Sequence, residues 1–134
     1  MQALPLHLVL LVVEDDDKLA RSMGRFFSQR GFVVRLVGTK AGAQAALGER
    51  APDVVILDVH LPDGSGLDVL EHLRQEGATI PAIVMTADDS LAVRERAERL
   101  GVAAFLTKPV QPLELLHILQ QALPLTLPSP SGRG

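Results

Sequence analysis

Four acids in a row, Glu14, Asp15, Asp16 and Asp17, close an uninterrupted apolar run from Leu8 to Val13. Another acid, Asp58, ends the apolar run Val54-Val55-Ile56-Leu57 in the same way. A helix cap uses one or two acids, because a cap carboxylate serves only the first free N–H groups and the positive end of the helix dipole. Asp16 or Asp17 fits that duty, and capping alone is the plainer alternative for the whole run. Four acids at the end of a buried segment exceed it, and they repel one another unless a cation joins them. Their oxygens are hard ligands with neither His nor Cys among them, the kind of set that takes Mg2+, or Mn2+, through a few carboxylates, a carbonyl and waters.

Three further residues sharpen this chemistry. The loop His60 to Gly64 separates Asp58 from the next helix, so Asp58 is not that helix's cap and reads as a functional carboxylate. Lys108 is informative by rarity, since only Lys18, Lys40 and Lys108 among the 13 basic residues are Lys. A compact ammonium on a flexible stem suits one carboxylate or phosphoryl oxygen, whereas Arg offers a wide fork; a solvated surface Lys is the alternative. Thr86 is either an ordinary β-branched strand end or a hydroxyl donor to an anionic oxygen. Together they supply a nucleophilic carboxylate, a metal-binding carboxylate pair, a hydroxyl and an ammonium. Those are the parts of phosphoryl transfer, which depends on positioning and charge neutralisation.

Other nucleotide and nucleophile patterns are missing. No G-x-x-x-x-G-K-[ST] occurs, and Gly64-Ser65-Gly66 has Val69 where a dinucleotide loop would place its third Gly. The serines have no nucleophile-elbow context. The four His show no metal-ligand spacing: His72 and His117 read as helix-surface residues, and His7 falls before or early in the first strand.

The elements that position these residues follow from periodicity. Short apolar runs predict strands at 8–13, 32–36, 54–57, 81–85 and 103–106. Amphipathic stretches predict helices at about 17–30, 39–49, 65–76, 88–100 and 112–123. Thr39 reads as an N-cap and Pro112 as a first-turn residue. Leu19, Met23, Phe26 and Phe27 share one face of the first helix. Leu67, Leu70 and Leu73 face inward from the third. Five strand–helix pairs imply an α/β fold, a doubly wound five-stranded parallel sheet. In such sheets ligands bind beyond the carboxyl ends of the strands, which is where Glu14, Asp58, Thr86 and Lys108 fall. The last helix carries Leu113, Leu115, Leu116, Ile118, Leu119 and Leu123. That spread reads as a wide core face or, more sharply, as a dimer or partner surface.

Composition closes off other classes. With 134 residues, 47% apolar and 22% charged, the chain is long enough for one domain and too apolar for disorder. Zero Cys excludes disulfide frameworks and thiolate chemistry. A net charge of −3 and four Phe without Trp or Tyr give no support to nucleic-acid binding. No apolar segment reaches the roughly 18–20 residues of a membrane span. Nor does the N-terminus read as a signal peptide, so a cytoplasmic location is expected. Residues 124–134, rich in Pro, Ser and Gly, read as a linker or loose tail after a domain at 1–123.

Four motifs now stand in order: Leu11-Val12-Val13-Glu14-Asp15-Asp16, Val55 to Gly64 around Asp58, Ile83-Val84-Met85-Thr86-Ala87 and Phe105-Leu106-Thr107-Lys108-Pro109. Over about residues 8–123 the chain resembles the receiver domains of two-component response regulators. The resemblance implies a CheY-like fold with strand order 2-1-3-4-5. It implies that Asp58 takes a phosphoryl group from a sensor histidine kinase or phosphotransfer protein. Asp15 and Asp58 would hold Mg2+ directly, Glu14 through water, and His60 through its backbone carbonyl. Lys108 would pair with phosphoryl oxygens, and Pro109 would follow a cis peptide. Thr86 and Phe105 match the switch pair, whose movement alters the surface of the fourth helix, fifth strand and fifth helix. That surface would serve a homodimer, an output domain or an effector. His60 and Asp88 fall where the family tunes dephosphorylation. Such a chain is not an enzyme acting on a separate substrate; it takes part in its own phosphoryl transfer and dephosphorylation. A small phosphatase would need a second catalytic acid and a lid, and an interaction module that never phosphorylates would not need the full acidic and Lys set. A DNA-binding element within the chain is not expected, although an attached output domain fits the likeness to transcriptional regulators.

Overall fold

The computed structural model describes residues 8–123. His7 and the tail at 124–134 lie outside these residues. Five strands build one parallel sheet: β1 (Val9–Val13), β2 (Val33–Val37), β3 (Val54–Leu57), β4 (Ala82–Thr86) and β5 (Ala104–Thr107), in the order β2-β1-β3-β4-β5. Five helices alternate with them: α1 (Asp17–Ser28), α2 (Lys40–Glu49), α3 (Gly66–Gln75), α4 (Leu91–Arg99) and α5 (Pro112–Ala122). This is the doubly wound architecture expected from the alternating runs.

Strand periodicity explains the two layers. Successive side chains point to opposite faces of a sheet. Leu11, Val13, Val55, Leu57 and Val84 therefore share one core with Ala43, Ala46, Leu67, Leu70, Leu73 and Ala97. Leu10, Val12, Val54, Ile56, Ile83 and Met85 share the other with Met23, Phe27, Leu115, Leu119 and Leu123. The central strands β1, β3 and β4 are buried throughout, so they read as unbroken apolar runs. The edge strand β2 leaves Val33 and Leu36 exposed. On α5, Leu115 and Leu119 are buried, as is Leu123 just after it, and Leu116 and Ile118 pack against the same core. The apolar spread of this helix is chiefly a wide core face, with Leu113 the one exposed leucine on it.

Two local features depart from the sequence expectation. The fourth helix begins at Leu91 rather than Asp88 because side chains compete for the backbone ahead of it. Thr86 Oγ1 accepts from Asp88 N, Asp88 Oδ1 from Ser90 N, and Ser90 Oγ from Val93 N, which makes Ser90 the cap. The loop after Asp58 is a short antiparallel hairpin, His60–Leu61 with Gly64–Ser65. Its approach to α3 requires Gly66, since a Cβ there would stand 2.0 Å from the Asp58 carbonyl oxygen.

Candidate functional site

The parallel register brings the acids together. Val13 pairs with Leu57, so the residues after them, Glu14 and Asp58, emerge side by side. Glu14 N donates to Val37 O at 2.9 Å and Asp58 N to Val13 O at 3.0 Å, which carries the ladder one residue beyond each strand. Both residues are buried, Glu14 at 3% and Asp58 at 7% exposure. Lys108 follows β5, and its N–H donates to Thr86 O at 2.8 Å. The Lys108–Pro109 peptide is cis. From this anchor Lys108 Nζ reaches Asp58 Oδ2 and Glu14 Oε1, each at 2.7 Å. A residue at one edge of the sheet thus neutralises charge at its centre.

The charge balance there is unequal. Burial by itself would lower the Lys108 ammonium, but pairing with Asp58 and then Glu14 overrides it and holds the group above the ordinary lysine value. Glu14 Oε2 accepts from Asp16 N at 3.0 Å. Glu14 Oε1 is buried and has the Lys108 ammonium, 2.7 Å away, as its ion-pair partner. Asp15 is exposed, and oxygens of Glu14, Asp15 and Asp58 lie within 4.8 Å of one another. Three carboxylates face one ammonium. The donors are all hard oxygens, so the residues fit a hard divalent cation such as Mg2+ and offer nothing to a thiophilic metal.

The acidic run divides its labour. Glu14 and Asp15 join the site. Asp16 caps α1 by accepting from Leu19 N at 3.2 Å, and Asp17 pairs with Arg21 on the surface. Around the carboxylates, His60 N donates to Asp58 Oδ1 at 3.3 Å, while His60 Nε2 lies 2.6 Å from Asp88 Oδ2. The His60 ring, with help from Ser90 N–H, holds the Asp88 carboxyl down at about 2. Thr86 is wholly buried at the end of β4. Phe105 stands apart from the acids, half-buried in β5, with the Arg94 guanidinium 4.6 Å from its ring centroid. Sequence reasoning passed over Asp63, whose carboxylate accepts from both Lys40 N and Ala41 N. Its Pro-Asp-Gly setting signals only a turn.

Fold and site together define an open parallel α/β sheet with an acidic centre and one ammonium at the carboxyl ends of its strands. Residues 10–120 match the response regulator receiver domain, and the chain belongs to that family, the phosphoacceptor modules of two-component response regulators. It is 37% identical over 114 residues, 85% of the chain, to the probable transcriptional regulatory protein TcrX of Mycobacterium tuberculosis, of which the match covers 49%. It is 38% identical over 115 residues to the transcriptional regulatory protein KdpE of the same species, covering 86% of this chain and 50% of that one. The chain thus spans about half the length of these curated relatives. The non-phosphorylated HemR receiver domain from Leptospira biflexa superposes with a TM-score of 0.81 at 32% identity, covering 90% of this chain and 98% of that one. Among the described residues no helix is long and apolar enough to cross a membrane.

Proposed function

We propose that Asp58 is the phosphoacceptor of this receiver and that a sensor histidine kinase or a phosphotransfer protein is the donor. An Asp58 oxygen attacks phosphorus as the P–N bond of a phosphohistidine breaks, and the bond electrons leave with the imidazole. The carboxylate becomes an acyl phosphate beside Glu14 and Asp15, so negative charge rises where three carboxylates already meet. Asp15 and Asp58, Glu14 through water and the backbone carbonyl of His60 would hold a divalent cation, Mg2+ or Mn2+. When bound, that cation supplies charge neutralisation and orients the phosphoryl oxygens. Lys108 hands its ion pair from the Asp58 carboxylate to a phosphoryl oxygen. Thr86 then donates its hydroxyl to the phosphoryl group, and Phe105 follows inward, which alters the α4-β5-α5 surface. That surface is where a second copy, an output domain or an effector would read the switch. His60 and Asp88 flank the acyl phosphate and set its lifetime. Residues 1–123 would be the receiver and 124–134 a linker; relatives named as transcriptional regulators point to control of transcription as the output.

The observation that carries this reading is the Lys108 contact to both Asp58 and Glu14 at 2.7 Å. An interaction module that never phosphorylates has no need of an ammonium spanning two buried acids. Incubation with acetyl phosphate and Mg2+, read by intact mass, tests it. One phosphoryl group is expected on the wild type and none on Asp58→Asn or in EDTA. Failure of the wild type to label at any Mg2+ concentration overturns it. Substitution of His60 or Asp88 is expected to change the decay rate of the label without abolishing its formation; equal decay rates would remove those two residues from the reading.

A further inference from the structure

The hairpin after Asp58 is held at both ends. At the near end, His60 donates its N–H to Asp58 Oδ1 and sets its ring against Asp88. At the far end, the turn at Pro62-Asp63 reaches α2. Asp63 Oδ1 accepts from Lys40 N at 2.6 Å and Oδ2 from Ala41 N at 3.0 Å. The Thr39 hydroxyl accepts from Gly42 N at 2.9 Å. The first three N–H groups of α2, which no helical carbonyl can serve, are therefore all taken, two of them by a carboxylate from another segment. The Ala41 and Lys40 N–H groups pull the Asp63 carboxyl below its ordinary value, as the positive end of a helix dipole should.

Neighbouring contacts tighten the same joint. Lys40 runs over Gly64, where a Cβ would stand 2.9 Å from Lys40 Cδ, and ends on Asp68 Oδ2 of α3 at 3.2 Å. Gly64 also adopts φ +148°, a conformation side chains rarely take. Leu61 is buried in the core that Ala43 and Ala46 of α2 line. The tip of the hairpin is thus seated on the N-terminus of α2.

We infer that Asp63 is a positioning residue of the phosphoryl-transfer site: its carboxylate plugs the N-terminus of α2 and so fixes the hairpin that presents the main chain of His60 to Asp58 and to the divalent cation. Asp63 touches neither the acids nor the reacting atoms. It acts through the rigid hairpin, in the way outer-shell groups orient metal ligands. The inference rests on the reading of the site given above.

The test compares Asp63→Ala, Asp63→Asn and Thr39→Ala with the wild type. Mn2+ affinity, read by electron paramagnetic resonance without any phosphodonor, is expected to fall about three- to tenfold in Asp63→Ala, less than for a direct partner of a ligand because the effect passes through the hairpin. Asp63→Asn keeps one acceptor oxygen and should fall between. The Mg2+ concentration for half-maximal labelling by acetyl phosphate should rise in parallel, with the rate at saturating Mg2+ within about twofold of wild type, since the reacting groups themselves are untouched. Thr39→Ala removes a cap from the same helix, so it should lower the melting temperature while leaving Mn2+ affinity unchanged. Unchanged Mn2+ affinity in the Asp63 variants, no Mn2+ binding by the wild type, or an equal shift in Thr39→Ala overturns the inference. Should Asp63→Ala not fold, Asp63→Asn carries the comparison. If the wild type binds Mn2+ but takes no phosphoryl group, the phosphoacceptor reading falls and the Mn2+ comparison still decides this one.

Discussion

Helices α3 and α4 flank the same site and are held in opposite ways. α3 buries Gly66, Leu67, Val69, Leu70 and Leu73. α4 buries Ala97 alone, and its first residue, Leu91, is 70% exposed. What α4 lacks in apolar burial it replaces with arginine. Arg96 donates to Asp68 and Glu71 of α3, each at 2.7 Å. Arg74 of α3 donates to the Leu100 carbonyl at the C-terminus of α4 and to the Ala78 and Ile80 carbonyls. Arg94 lies over Phe105. Apolar burial cannot be traded for another arrangement cheaply, whereas polar contacts exchange for water or for each other at little net cost. The α3 side is therefore held by packing that resists rearrangement, and the α4 side by contacts that exchange more cheaply.

The sharpest way to break that contrast is to cut apolar bulk on each side. Leu70→Ala should cost about 2–5 kcal/mol in urea unfolding, because Leu70 is fully buried. Leu91→Ala should stay within about 0.5 kcal/mol, as exposed positions do. Comparable losses would erase the distinction between the two helices. Next in size, Arg74→Met leaves three carbonyls without their donor and should cost about 1–3 kcal/mol, with the loss concentrated at the end of α4. Smaller still, Arg96→Ala should cost about 0.5–1 kcal/mol, since its partners are well exposed. Hydrogen exchange should nevertheless quicken in α4 and not in α3. Uniform quickening would mean that Arg96 supports the whole domain.

The faintest effect is in pH. Hydrogen bonding to Arg96, opposed by burial and helped by Lys40, holds the Asp68 carboxyl below its ordinary 3.8. A depressed acid stabilises the fold in full above its unfolded value and loses that contribution as pH falls through its folded value. The stability advantage of the wild type over Asp68→Asn should thus be constant above about pH 5 and shrink below pH 3.8, visible in acid melts. An advantage that persists at pH 2 would show that Asp68 acts by packing.

Much of the site is legible in residue types and their order alone. Unbroken apolar runs ending in Glu14 and Asp58 marked where buried strands deliver charge, and the rarity of Lys singled out Lys108. The division of the acidic run was not legible, because cap and ligand are the same residue type. Whether Asp16 turns toward Leu19 N or toward Asp58 depends on where α1 starts. Asp63 was hidden for a different reason: its partners, Lys40 N and Ala41 N, are backbone groups that carry no residue signature. The joining of His60 to Asp88 was hidden too, since 28 residues separate them and nothing in either type names the other.

By itself, the sequence determined the alternation of strands and helices, the two-faced packing of the sheet and the identity of the acids and the ammonium, because apolar periodicity and residue type are local properties. Only the tertiary structure decided that Lys108 spans Asp58 and Glu14, that Asp63 seats the hairpin on α2, and that α4 is held by arginines. Those are long-range pairings, and they depend on strand register, on how the helices are placed, or on backbone N–H and C=O groups that every residue carries alike.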